Sequence, residues 1–160
     1  INLPAHYSAS MRTRLHHHGF TFVEVLLVIG ILGLIAGLAI PFYQSFQVSS
    51  QMDNETNLLV QTLRQAQQMA MAPVDYTAYG LYFTADTYVL FRGTTYDPED
   101  SYNQTVDLPD TLTLSSTVGN ELVFDRGTGT PSQAGSLTLA ISPSKQKIIT
   151  INSLGVVDVE

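Results

Sequence analysis

The 160-residue chain contains no cysteine, which removes disulfide bridges, thiolate metal sites and thiol nucleophiles from consideration. Histidine is confined to His6, His16, His17 and His18, so everything beyond Gly19 lacks both residue types. A chain starting after that point has neither Ser-His-Asp nor Cys-His catalysis open to it, and almost no route to a zinc site. Basic residues are scarce too: 7 stand against 14 acidic ones, and two of the seven, Arg12 and Arg14, precede every acidic residue. The remainder is therefore strongly acidic, a poor match for nucleic acid or anionic lipid head groups. The length suits one domain of ordinary size.

The long uncharged stretch from Val25 to Tyr43 dominates what is present. As a helix rising 1.5 Å per residue it spans about 28 Å, close to the roughly 30 Å of a bilayer's hydrocarbon core. Arginines before it and net negative charge after it predict a cytoplasmic N-terminus, with the rest carried across the membrane. A cleavable secretory signal is the competing reading, but it calls for a shorter apolar region ending in a small-residue site. Ala36-Gly-Leu-Ala39 offers such a site, yet the apolar run continues past it. Glu24 stands at the entrance to this run, where an ionisable group is costly and generally has a partner. The chain opens on Ile1, whereas Met11 to Gly19 forms a compact basic stretch, so Met11 is the expected start.

Gly19-Phe20-Thr21-Phe22-Val23-Glu24-Val25-Leu26-Leu27-Val28 resembles the leader-peptidase junction of type IV prepilins and type II secretion pseudopilins. The resemblance implies a leader of residues 1–19 cut after Gly19 by a membrane aspartyl prepilin peptidase, which then methylates the new N-terminus at Phe20. It places Glu24 at the family's glutamate, the fifth mature residue, which neutralises the terminal amine of a neighbouring subunit during assembly. Gly33 and Pro41 fall at the family's helix glycine and proline, which mark a stretch that loosens on packing. Physically, a carboxylate near a helix N-terminus is favoured by the free N–H groups there. Pro41 removes one backbone hydrogen bond, while Gly33-x-x-x-Gly37 permits close helix contact.

From 44 to 72 the pattern becomes amphipathic. Val48, Met52, Leu59, Leu63, Ala66 and Ala70 recur at helical spacing, and Pro73 is the expected stop. Gln61, Gln65, Gln67 and Gln68 read as a solvated or subunit-facing surface. Over 73–160 the period falls to two. Strands are predicted at Tyr79–Thr84, Thr87–Arg92, Thr111–Ser115, Glu121–Asp125, Ser136–Ile141, Lys147–Asn152 and Val156–Val159, with turns at Ala85-Asp86, Gly127-Thr-Gly129, Ser142-Pro-Ser144 and Ser153-Leu-Gly155. The fold class is therefore α+β: a long N-terminal helix, membrane-spanning over 20–43 and amphipathic over 44–72, packed on an antiparallel β-domain. Phe124, the Gly127 loop, Gly135-Ser-Leu-Thr-Leu, Ile149-Thr-Ile-Asn and Gly155-Val-Val give this half a similarity to GspH/FimT-type minor pseudopilins and minor pilins.

The implied function is that of a structural subunit, not an enzyme, without cofactor. Its partners are prepilin peptidase/N-methyltransferase, other pilin or pseudopilin subunits, the inner membrane and an assembly platform. Some relatives take part in DNA uptake through C-terminal arginines, but this chain ends in Val156-Val-Asp158-Val-Glu160, leaving Arg92, Arg126, Lys145 and Lys147 to form any basic patch. A membrane-anchored binding module is the alternative from another class. A hydrolase built on an acid pair such as Asp97 and Asp107 lacks a supporting histidine. Asp97, Glu99, Asp100, Asp107 and Asp110 offer oxygen ligands of the kind calcium takes, though their spacing follows no calcium-loop pattern. Asn54-Glu-Thr56 and Asn103-Gln-Thr105 are formal glycosylation sequons.

Overall fold

A computed structural model describes residues 19–72 and 76–160, and of residues 38–45 only the backbone. The expected leader up to His18, the expected helix stop at Pro73 and the side chain of Pro41 thus lie outside the described residues. The chain divides into two compact units, with the boundary between Phe42 and Tyr43. A single helix, α1 (Phe22–Met71), contributes to both.

In the first unit the helix carries Val23, Leu26, Leu27, Ile29, Leu32, Leu34 and Ile35 exposed on every side. A helix apolar all round has no inward face of its own and requires an apolar environment from outside. Among the described residues no helix is long and apolar enough to cross a membrane. The apolar run expected over 25–43 is described with its side chains only as far as Gly37.

The second unit forms around the later turns of α1. Met52, Leu59, Leu63, Ala66 and Ala70 are buried as their spacing predicts, joined by Thr56 and Val60. Steps of four and three alternate from Met52 through Thr56 to Ala70, which holds one narrow seam toward the core. Thr56 is the polar member of that seam. Its hydroxyl donates to the Met52 carbonyl at 2.7 Å, so the helix itself satisfies the buried group. Val48, expected in the same stripe, is only half-buried.

Eight strands follow: β1 (Tyr79–Phe83), β2 (Thr87–Arg92), β3 (Gln104–Asp107), β4 (Thr113–Ser116), β5 (Glu121–Phe124), β6 (Gly135–Ser142), β7 (Lys145–Ile151) and β8 (Val157–Val159). They make two four-stranded sheets, ordered β3-β2-β1-β5 and β4-β6-β7-β8, with every pairing antiparallel. Inward-facing Tyr79, Leu81, Tyr88, Leu90, Leu122 and Phe124 of the first sheet share one core with Leu114, Leu137, Leu139, Ile149 and Ile151 of the second and with the helix seam. The α+β class read from the sequence is the one the chain adopts.

The first sheet is covered on its other face as well. Phe91, Val123 and Ala78 form a second cluster there with Tyr82 and Tyr96. Tyr96 comes from the β2–β3 loop and stacks on Tyr82 with ring centroids 4.3 Å apart, while Phe91 meets Tyr96 edge-on. This second layer explains why β1 and β2 read as near-continuous apolar runs. It also explains Gly80, where an added Cβ would lie 2.7 Å from both the Phe91 ring and the Leu122 carbonyl.

Two strand expectations are corrected. β3 has no counterpart among the predicted strands, because Gln104, Thr105 and Asp107 are exposed on a sheet edge and give no apolar alternation. The strand predicted at Thr111–Ser115 begins at Thr113 instead, since Leu112 closes a turn through its N–H to the Pro109 carbonyl at 2.8 Å.

Leu63 lies at the centre of the helix seam with no exposed surface. Leu63→Ala is expected to cost about 2–5 kcal/mol in urea unfolding, whereas Leu58→Ala on the exposed side should cost well under half of that. Tyr88 gives a pH test. Among the described residues its buried hydroxyl has no hydrogen-bond partner in good geometry, the Thr62 hydroxyl lying nearby. Burial pushes the phenol up to about 12, the nearby Thr62 hydroxyl opposing and the Glu55 charge adding to the shift. An unfolded tyrosine ionises near pH 10, so between about pH 10 and 12 the unfolded state holds fewer protons and stability falls as pH rises. Tyr88→Phe should be at least as stable as the parent at pH 7 and lose stability less steeply over that alkaline window.

Candidate functional site

At the start of α1, Gly19, Phe20 and Thr21 precede the helix, and Phe20 is 80% exposed. Thr21 caps it: its Oγ1 accepts the Glu24 N–H at 3.2 Å, and its carbonyl accepts the Val25 N–H at 3.2 Å. Glu24 therefore occupies the third helical position, where the helix dipole favours a carboxylate. Thr-x-x-Glu ahead of an apolar run is a helix-start signature, and a reading that rests on Glu24 alone passes over Thr21. The Glu24 side chain is exposed and, among the described residues, its carboxylate has no hydrogen-bond or ion-pair partner. Gly33, with Gly30 and Gly37, faces open space: an added Cβ would meet nothing within 4 Å. The helix passes through position 41 without a break.

The other end of α1 is fixed by loops of the β-domain. The Gly127 N–H donates to the Ala70 carbonyl at 2.8 Å, and Gln67 Nε2 donates to the Gly129 carbonyl at 3.0 Å. Gly155, at φ 80°, adopts a left-handed backbone that a side chain would strain, and an added Cβ would also push the Gln67 amide aside. Lower on the helix, Lys145 Nζ donates to Ser49 Oγ at 2.6 Å, and Lys147 pairs with Asp53 at 3.4 Å.

The cations weighed as a nucleic-acid patch are thus spread out and engaged. Besides the two β7 lysines, which are spent on helix residues Ser49 and Asp53, Arg126 donates to the Tyr76 carbonyl at 3.1 Å. Arg92 lies 3.8 Å from Asp100 and 5.3 Å above the Tyr102 ring.

The acidic loop is organised by its own backbone. Asp97 Oδ1 accepts the Glu99 N–H at 3.0 Å, and Asp100 Oδ1 accepts the Tyr102 N–H at 2.9 Å. Asp107 lies on β3 and Asp110 in the turn before β4. Among the described residues no three acidic or histidine side chains are grouped to hold a metal ion. Tyr96 and Tyr102, the two tyrosines of this loop, pack on the first sheet: Tyr96 on Tyr82, and Tyr102 edge-on to Tyr79 at 5.7 Å. Neither sequon is a free loop asparagine. Asn54 is helical with Thr56 buried, and the Asn103 amide donates to the Asp97 carbonyl at 2.7 Å.

Residues 14–40 match the model of the prokaryotic N-terminal methylation motif. Over 40 residues the chain is 45% identical to the fimbrial protein EcpC of Eikenella corrodens, an alignment covering 25% of this chain and 26% of that protein. The match thus spans about a quarter of the relative's length. In fold, the chain is similar to the type IV minor pilin FimU of Pseudomonas aeruginosa, with a TM-score of 0.58 at 14% identity over 72% of this chain and 92% of that one. It is likewise similar to the minor pseudopilin EpsH of the Vibrio cholerae type 2 secretion system, with a TM-score of 0.54 at 14% identity over 69% and 96% of the two chains. The methylation motif thus lies around the start of α1, while the likeness to the two solved structures, at 14% identity, is one of fold.

Proposed function

We propose that the chain is a minor pilin or pseudopilin, a structural subunit of a type IV pilus or a type II secretion pseudopilus with no catalysis of its own. Prepilin peptidase cleaves after Gly19 and methylates Phe20. The subunit waits in the inner membrane with its N-terminus cytoplasmic, and then enters an extracytoplasmic filament through α1. The observation that carries this reading is the state of Glu24: a carboxylate at the start of a helix, four residues beyond an exposed Phe20, with no partner among the described residues. In an apolar assembly such a group needs a cation, and a neighbour's new terminal amine supplies one. Gly33 and the exposed apolar side chains of the same helix suit close packing against other helices. Head-to-tail repetition of such contacts propagates a filament when the rotation does not close.

Co-expression with and without a prepilin peptidase, followed by intact-mass measurement, tests the processing step. The expected product has lost everything through Gly19 and gained one methyl group. A chain that keeps its leader, or loses the whole apolar run, overturns the reading. Glu24→Ala separates processing from assembly, because the Thr21 cap uses the Glu24 backbone N–H and survives the change. Cleavage should stay near the parent rate. Recovery in sheared filaments should fall by roughly 100-fold or more, in line with the 3–5 kcal/mol that breaking a buried pair costs. Parental recovery of Glu24→Ala would refute the role given to Glu24.

A further inference from the structure

Where the two sheets approach each other at one end, the end of β1, the middle of β4 and the turn before β5 enclose a cleft of about 350 Å³. That is the lower end of the range for small-molecule sites, roughly 300–1,000 Å³. Tyr82, Ser115 and Asn120 are among its lining residues, with Thr84, Ser116 and Gly119, and none of the lining residues is ionisable at neutral pH. In a chain of net charge −7 an uncharged polar concavity stands apart from its surroundings.

Not all of the polar groups here are free. Thr84 Oγ1 is bonded to Thr87 and Asp86 in the β1–β2 turn, and Ser116 Oγ accepts the Val118 N–H at 3.1 Å. Among the described residues, by contrast, the side chains of Ser115 and Asn120 and the Tyr82 hydroxyl have no hydrogen-bond partner. A hydroxyl, a carboxamide and a phenol both donate and accept. They therefore suit a ligand whose own groups do both. Tyr82 is held rigidly besides: Tyr96 lies parallel to it at 4.3 Å, Phe91 braces Tyr96 edge-on, and the Tyr96 N–H is anchored on Glu121 Oε2 at 3.1 Å. A preorganised ring and unspent polar groups lower the ordering cost of binding.

We propose that this cleft binds a neutral saccharide unit, with the Asn120 carboxamide and the Ser115 hydroxyl meeting adjacent sugar hydroxyls and Tyr82 presenting its ring and hydroxyl at one wall. The absence of a cation in the lining disfavours uronic and sialic acids. This site is independent of the processing and assembly role of α1. The filament reading can fail without it, and it can fail while the filament reading stands.

Ligand-observed saturation-transfer NMR on the full chain in detergent micelles tests it. The probes are the methyl glycosides of glucose, galactose, mannose and N-acetylglucosamine, with methyl glucuronide as the charged control. Saturation transfer to at least one neutral glycoside at millimolar concentration is expected, with the glucuronide at least five-fold weaker. Asn120→Ala and Ser115→Glu, both at exposed positions, should each abolish the transfer without moving the unfolding midpoint. Tyr82→Phe keeps the stack on Tyr96 and should weaken binding several-fold. Transfer from none of the neutral probes, transfer that survives both Asn120→Ala and Ser115→Glu, or a preference for the glucuronide would each overturn the proposal.

Discussion

The seam of α1 from Met52 to Ala70 is the constraint on which the β-domain depends. It supplies one wall of a core that two separate sheets share. The seam is narrow because its steps alternate four and three. It is smooth at its upper end because Ala66 and Ala70 are small. Leu59 and Leu63, fully buried, each contribute about 1.5–3 kcal/mol by leaving water. The single polar residue in the seam, Thr56, costs little, since its hydroxyl returns to the Met52 carbonyl rather than seeking a partner in the core.

Polar contacts then fix where the helix lies on the sheets. Lys145 and Lys147 of β7 hold Ser49 and Asp53, and the Gly127–Gly129 loop closes the last turn at Ala70 and Gln67. The Lys147–Asp53 pair is largely exposed and adds little stability, but together with the loop contacts it sets register. Among the described residues, 20–37 carry none of this. Their apolar side chains are exposed and their glycines face open space. One helix therefore serves two purposes, being saturated with contacts along one segment and unpartnered along the other.

Much of this was legible in the sequence. The helix seam announced itself through apolar spacing, and β6 through the alternation of Leu137, Leu139 and Ile141. β3 was not legible, because an exposed edge strand of Gln, Thr and Asp lacks the alternation that burial on one face imposes. Thr56 escaped because a polar residue interrupts an apolar pattern unless its own backbone bond is known. Tyr96 and Tyr102 escaped for a related reason: a loop rich in acidic residues reads as solvated, and only the folded chain shows its two tyrosines turned back on to the sheet. At the junction Glu24 stood out at once, while the Thr21 cap beside it needed the helix start to be located.

By itself, then, the sequence determined the local and periodic properties: a basic stretch ahead of an uncharged run, Glu24 a few residues after Gly19-Phe20, and a helix followed by short strands. Each of these follows from composition, or from a spacing of a few residues along the chain. Tertiary structure alone decided how the strands divide into two sheets, which cations are spent on the helix, and that the acidic loop closes over an aromatic layer. It also decided that Tyr82, Ser115 and Asn120, drawn from three elements, border one uncharged cleft. Such pairings join residues tens of positions apart, and no period in the sequence records them, because they arise only when distant segments bury their apolar faces against one another.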